Sequence, residues 1–188
     1  MQAYPSKYKA YTINFVGLKQ NVYHFNYSID HHFFALFETS PISESAVKVA
    51  VRLEKKTNLL MLDFTIKGTV NVLCDRCTEP FDMAIDKEFP IIVKFTHNVD
   101  QENYNDEIIY LSPEASSINV AQLIYEFIVL SMPIKKTHPN DDAGNSLCAP
   151  DILAILAQKS VQNDKPNDSI DPRWAALAKL KNKTNKKP

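Results

Sequence analysis

Residues 46–73 read AVKVAVRLEKKTNLLMLDFTIKGTVNVL, and this stretch decides the fold. Apolar side chains occupy alternate positions on both sides of a polar turn at residues 55–58: Val47, Val49, Val51, Leu53, Leu60, Leu62, Phe64, Ile66, Val70 and Val72. Successive side chains of a strand point to opposite faces, so this alternation predicts two antiparallel strands that share one buried face. Gly68 interrupts the second strand at a point where a bulge or bend is tolerated.

Similar patterns extend the sheet in both directions. Upstream, AYTINF (10–15) and NVYHFNYSI (21–29) predict a hairpin connected through residues 17–21. Asp30 follows as a favourable N-cap for one or two helical turns. Downstream, residues 81–85, 89–95 and 108–111 predict three further strands.

The pattern changes to helical after residue 117. Five apolar residues follow i, i+3, i+4, i+7 and i+8 spacing and predict one helix that Pro133 ends: Val120, Leu123, Ile124, Phe127 and Ile128. Shorter helices are predicted to begin at Pro150 and at Asp171-Pro172. The sequence therefore predicts an α+β fold, an antiparallel meander that could be barrel-like, followed by C-terminal helices. We expect a single domain at 1–157, a mobile linker at 158–170, and a helix with a basic tail at 171–188.

Charge is distributed unevenly along a chain of 188 residues with a net charge of -1. Residues 78–114 contain two lysines and nine acids: Glu79, Asp82, Asp86, Glu88, Asp100, Glu102, Asp106, Glu107 and Glu114. After Asp171 there are no acids and six bases: Arg173, Lys179, Lys181, Lys183, Lys186 and Lys187. The two regions are either ordinary solvated surfaces or contact sites for different partners.

Several classes of protein are disfavoured by composition. Only 3 glycines are present, which disfavours a glycine-rich phosphate loop. No apolar run approaches the length of about 20 residues that a membrane span needs, and the N-terminus lacks the apolar segment of a secretory signal. Three cysteines do not form a disulfide framework. We therefore expect a cytoplasmic protein without a membrane partner.

The motif Cys74-Asp75-Arg76-Cys77 carries the sharpest chemical signal. Two thiolates separated by two residues can bind one tetrahedral metal ion and form half of a zinc site. His138 and Cys148 are available to complete a Cys3His set, although their separation is wider than usual for zinc ligands. Two other interpretations stay open here: reduced thiols packed at the end of the sheet, and a redox pair.

Catalytic interpretations have less support. A redox C-x-x-C of the thioredoxin type opens a helix, whose N-terminus lowers the thiol pKa. Here the pair follows an apolar strand and precedes what is predicted to be a turn. The sequence also contains no nucleophile-elbow, phosphate-loop or zinc-protease motif.

Four segments together resemble one known family. LCDRCTEPF (73–81) resembles the C-x-R-C-x-E-P-F motif of the YceD family, the large ribosomal RNA subunit accumulation proteins. INVAQLIYEFIVLSMPIKKTHPNDDAGNSLC (118–148) is similar to the family's amphipathic helix and its downstream histidine and cysteine. DPRWAALAKLK (171–181) resembles the family's closing segment, and FVGLKQNVYHFNYSIDHHFF (15–34) its N-terminal part.

This resemblance implies a bacterial, non-catalytic ribosome-biogenesis factor. It would support the synthesis, processing or stability of large-subunit (23S) ribosomal RNA by binding that RNA or a pre-ribosomal particle. The alternatives are a module that holds a basic large-subunit ribosomal protein, and a thiol oxidoreductase. The resemblance also favours structural zinc at Cys74, Cys77, His138 and Cys148.

Four basic residues are the expected contacts to RNA or a partner. Arg76, inside the motif, is expected to point outward and reach phosphate. The others lie in the basic C-terminal segment: Arg173, Lys179 and Lys181.

Overall fold

Most of the described residues fold around one five-stranded sheet. The computed structural model describes residues 6–38, 40–42, 44–97 and 107–163. Its strands are β1 (Thr12–Asn14), β2 (Val22–Ile29), β3 (Ser45–Lys55), β4 (Leu59–Leu73), β5 (Pro80–Phe95), β6 (Ile108–Leu111) and β7 (Ser117–Asn119). A 3-10 helix spans Ser6–Tyr11, and the α-helices are α1 (His31–Phe34), α2 (Ala121–Ser131) and α3 (Pro150–Asn163).

Five strands form the main sheet in the order β2-β3-β4-β5-β6. The first four are antiparallel neighbours, as the sequence predicts, whereas β6 pairs in parallel with the end of β5. Within the described residues β2 and β6 are the two edges, so the barrel-like closure that the sequence allowed is not formed. The fold is the predicted α+β architecture with a mixed sheet.

Two expectations about the strands were wrong. The segment 10–15 does not form a hairpin with β2, because β1 pairs with β7 in a separate two-stranded sheet. The segments 81–85 and 89–95 are not separate strands, because β5 runs without a break from Pro80 to Phe95. The intervening charged residues Asp86, Lys87 and Glu88 are all exposed, so they do not interrupt the pairing with β4.

The buried face of the sheet packs against α2. Leu62, Phe64 and Ile66 of β4 are fully buried on this face. Phe127 of α2 stacks on Phe89 of β5, with ring centroids 4.5 Å apart, and meets Phe64 edge-on at 5.1 Å. Hydrophobic burial on this face is the main source of stability for the sheet.

Gly68 allows a close approach between β3 and β4. The register continues through Gly68 opposite Val47 with no inserted residue, so the tolerated bulge is not formed. A Cβ atom at this position would overlap the carbonyl oxygen of Ala46, and the φ angle of +153° disfavours other residues. The glycine is therefore required by contact between the strands.

The chain divides into two compact units, Met1–Cys148 and Ala149–Pro188. The sequence predicted a boundary after residue 157, which falls inside α3, and α3 also covers the start of the predicted linker. Residues 171–188 lie outside the described residues, so the predicted last helix and tail stay a prediction. Among the described helices, none is long and apolar enough to cross a membrane.

Candidate metal centre

The two cysteines of the C-x-x-C motif lie in the turn between β4 and β5. Both side chains are buried. The turn is closed by backbone hydrogen bonds from Thr78 N–H to the Cys74 carbonyl (2.9 Å) and from Cys74 N–H to the Glu79 carbonyl (2.9 Å). The Arg76 N–H also donates to the Cys74 sulfur at 3.4 Å. The turn connects two strands, so the pair does not open a helix as a thioredoxin-type motif would.

Thr78, directly after the second cysteine, has a φ angle of +62°. A β-branched residue in this left-handed region carries backbone strain of about 1–3 kcal/mol. Such strain persists only where the surrounding structure holds the backbone in place. The Thr78 hydroxyl donates to the Cys77 carbonyl at 2.6 Å, which helps to hold the backbone in this conformation.

A second loop, residues 133–148, follows α2. It brings His138 and Cys148 together although they are ten residues apart in the sequence. The Leu147 N–H donates to the Pro139 carbonyl at 3.2 Å, and the Asp141 N–H donates to the Asn145 carbonyl at 2.8 Å. The loop therefore folds back on itself. Its two ends meet, with His138 Nδ1 and Cys148 Sγ 3.8 Å apart.

Asp75 joins the turn to this second loop. Its backbone N–H donates to the Lys136 carbonyl at 2.7 Å, and its carboxylate accepts from the Lys136 N–H at 2.6 Å. The His138 ring also packs on the ring of Phe81, with centroids 4.7 Å apart. These contacts position the histidine beside the cysteine pair.

The ligand atoms of the four side chains are close enough together to hold one metal ion. These atoms all lie within 4.8 Å of one another. Sγ of Cys74 lies 3.7 Å from Sγ of Cys148, and Sγ of Cys77 lies 3.4 Å from Nδ1 of His138. Zn–S bonds of about 2.3 Å and Zn–N bonds of about 2.0 Å would place tetrahedral ligands about 3.5–3.8 Å apart. The three cysteines form no disulfide, and the cluster fits a zinc ion in both donor type and spacing.

The local hydrogen bonds favour the thiolate form of Cys74. Burial raises the pKa of this thiol, but hydrogen bonds from the backbone N–H groups of Cys77, Arg76 and His138 and from the His138 side chain outweigh it. The net effect lowers the pKa to about 5. These hydrogen bonds thus favour the thiolate of Cys74, which is the form that binds metal.

Comparison with protein-family models gave a match over much of the chain. A family model described as "Large ribosomal RNA subunit accumulation protein YceD" matches residues 62–181. The chain belongs to the YceD family. The matched region covers more than half of the chain and contains all four residues of the cluster, as the sequence resemblance indicated. Searches of the curated proteins and of the solved structures each gave no significant match.

In this YceD protein the structure brings the four predicted ligands together, but it places Arg76 differently from the expectation. Arg76 is half-buried, and its Nη1 donates to Ser146 Oγ at 2.8 Å, so this part of the guanidinium points to the second loop and not outward. The other predicted contacts, Arg173, Lys179 and Lys181, lie outside the described residues. Contact of these four residues with RNA stays a prediction.

Sequence reasoning missed the residues that support the ligands. Asp75 and Phe81 both lie inside the YceD motif at 73–81, so the motif pointed to them, but sequence reasoning assigned neither a role at the site. Lys136 and Ser146 contribute a backbone amide and a hydroxyl from a polar loop, and single-sequence patterns give no signal for such contacts.

A second group of potential ligands, Asp30, His31 and His32, lies at the start of α1. All three residues are exposed. The Asp30 carboxylate accepts hydrogen bonds from the His32 and Phe33 backbone N–H groups at 3.0 and 3.4 Å, which confirms its predicted role as the N-cap. This group is explained by helix capping.

Proposed function

We propose that this YceD protein supports the accumulation of large-subunit ribosomal RNA as a non-catalytic factor that binds the RNA or a pre-ribosomal particle. The observation that carries this proposal is the family match over residues 62–181, whose description names that RNA. The match includes the Cys/His cluster and extends to the basic segment that contains Arg173, Lys179 and Lys181.

We further propose that Cys74, Cys77, His138 and Cys148 bind one structural zinc ion. The spacing of the ligand atoms and the low pKa of Cys74 support this proposal. Zinc held by four protein ligands supplies a structural crosslink and has no open position for a substrate. The four residues would thus tie the end of β4 to the loop that follows α2.

Non-catalytic action is also favoured over thiol oxidoreductase activity. Cys74 and Cys77 are both buried, whereas a redox-active pair must offer one sulfur to its substrate. Burial of the pair suits metal ligation better than exchange with an external disulfide. An insulin-reduction assay that depended on Cys77 would overturn this part of the proposal.

Depletion in the source organism tests the function. We expect the ratio of large-subunit to small-subunit ribosomal RNA to fall, with precursor particles accumulating on sucrose gradients. An unchanged ratio and profile would reject the proposed role.

Direct RNA contact is tested by the purified protein with large-subunit RNA. A triple variant, Arg173→Gln, Lys179→Gln and Lys181→Gln, should bind more weakly and reduce the slope of log affinity against log salt by about 2–3. The matched control carries the same charge change at three exposed lysines of the described region: Lys19→Gln, Lys48→Gln and Lys87→Gln. Equal binding by the two variants would contradict contact through the basic segment.

A second candidate function is binding of a basic ribosomal protein. Asp82, Asp86 and Glu88 alternate along β5 and are all exposed on the face away from α2, which gives this strand an acidic stripe. A basic partner complements such a stripe. If a ribosomal protein is captured after nuclease treatment, and capture is lost on Asp82→Asn, Asp86→Asn and Glu88→Gln substitution, this second function replaces direct RNA binding.

A further inference from the structure

Arg76 contacts the candidate metal centre at two of its four ligands. Its backbone N–H donates to Cys74 Sγ at 3.4 Å, and its Nη1 lies 3.9 Å from Cys148 Sγ. One residue therefore reaches sulfur atoms that come from segments 74 positions apart in the chain.

Ser146 fixes the direction of the Arg76 guanidinium. Its Oγ accepts a hydrogen bond from Arg76 Nη1 at 2.8 Å and a second one from the Cys148 backbone N–H at 3.3 Å. The hydroxyl thus joins the arginine to the residue that carries the third sulfur. This arrangement keeps the guanidinium beside Cys148 and limits its freedom to turn toward solvent.

A cation beside the ligand set would stabilise the negative charge of the thiolates. With zinc bound, three thiolates and a neutral imidazole would leave a net charge of -1 in a largely buried setting. Lys136, the nearby lysine of the second loop, has its ammonium 3.6 Å from the Asp75 carboxylate and is paired there. The Arg76 guanidinium faces the sulfur of Cys148 and can offset the excess negative charge.

We infer that Arg76 is a positioning residue of the metal centre. Its guanidinium holds the Cys148 thiolate in place and compensates the negative charge of that thiolate. This inference rests on the proposed zinc site and adds a role that the four ligands do not supply. Loss of a hydrogen-bonding partner behind a metal ligand typically weakens metal affinity about 10–100-fold.

The test measures metal binding by the full-length protein with Zn2+ and Co2+ as probes. Competition with a chelator gives the Zn2+ affinity, and the sulfur-to-cobalt absorption band reports the environment of the thiolates. Arg76→Gln should weaken Zn2+ binding at least about tenfold and shift the cobalt band. Arg76→Lys, which keeps the charge, should recover part of the Zn2+ affinity. Ser146→Ala, which leaves Arg76 in place, should lose less Zn2+ affinity than Arg76→Gln does.

Arg52→Gln is the matched control. Arg52 is also half-buried and donates to the carboxylates of Asp63 (2.9 Å) and Glu54 (3.0 Å), far in sequence from any ligand. Its substitution should leave both metal readouts unchanged. If Arg76→Gln and Ser146→Ala match the wild type in both readouts, the inference is overturned while the zinc site stands. If the wild type binds neither ion, the zinc site itself is rejected.

Discussion

The sheet and the loop that carries His138 and Cys148 are built on different physical principles. In β4, alternate residues from Leu60 to Ile66 are fully buried, and the strand has a paired neighbour on each side. In residues 133–148, Cys148 alone is buried, and Ile134 is fully exposed. A loop with so little buried apolar surface lacks the usual source of stability, so it depends on hydrogen bonds and on the crosslink that we propose. The following predictions test this contrast, from the largest expected effect to the smallest.

The largest effect is expected in the core. Phe64→Ala removes a fully buried ring that contacts Phe127, and it should lower the free energy of unfolding by about 3–5 kcal/mol. Chemical denaturation measures this loss. The loss should be the same with and without a metal chelator. A loss that changed on addition of the chelator would show that the stability of the sheet also depends on metal, and would contradict the contrast between the two regions.

Metal removal should act on the loop and leave the sheet intact. Addition of a chelator should speed hydrogen exchange at the Asp75 and Leu147 amides roughly tenfold or more, because their acceptors lie in or across the loop. The amides of Leu62 and Phe64 in β4 serve as the internal control and should keep their protection. Uniform loss of protection in both sets would mean that the loop and the sheet unfold together.

Asp75→Ala should weaken the connection between the turn after β4 and the second loop. It removes the acceptor of the Lys136 N–H and its ion pair, which should cost about 1–2 kcal/mol and lower Zn2+ affinity. The control is Asp82→Ala, an exposed carboxylate that accepts from the Asn71 side chain at 2.8 Å outside the site. Equal Zn2+ affinities for the two variants would show that Asp75 does not position the ligands.

The smallest effect is expected at Thr78. Thr78→Gly removes the strain of a β-branched residue at a φ angle of +62° together with the hydrogen bond from the Thr78 hydroxyl to the Cys77 carbonyl, and the net effect should be a gain in stability of about 0.5 kcal/mol. Thr69→Gly, in the extended backbone of β4, should lower stability by a similar amount. Thermal unfolding compares the two variants. If both were destabilising, the turn would not be strained.

Sequence patterns predicted the parts of the fold that hydrophobic burial determines. The alternation in residues 46–73 gave β3 and β4 almost residue by residue, since period-two burial is a local property of a strand. The helical spacing after residue 117 gave α2 for the same reason. Strand partners could not be predicted in this way. β1 pairs with β7, and nothing in the alternation of residues 10–15 specifies a partner so distant along the chain.

At the candidate site, residue types selected the four candidate ligands but did not predict how they meet. Cysteine and histidine are distinctive enough to be selected from sequence alone, and the family motif added weight to that selection. The turn-back of residues 139–147 depends on particular hydrogen bonds, such as that from the Gly144 N–H to the Asp141 carbonyl, which periodicity does not encode. The inward direction of Arg76 depends in the same way on the hydroxyl of Ser146.

Elemental analysis of the purified full-length protein most directly tests whether the four side chains form a metal centre. We predict one zinc ion per chain in the wild type and a clear loss of zinc in Cys148→Ser. A wild-type protein that retains no zinc and takes up none when Zn2+ is added would contradict the account.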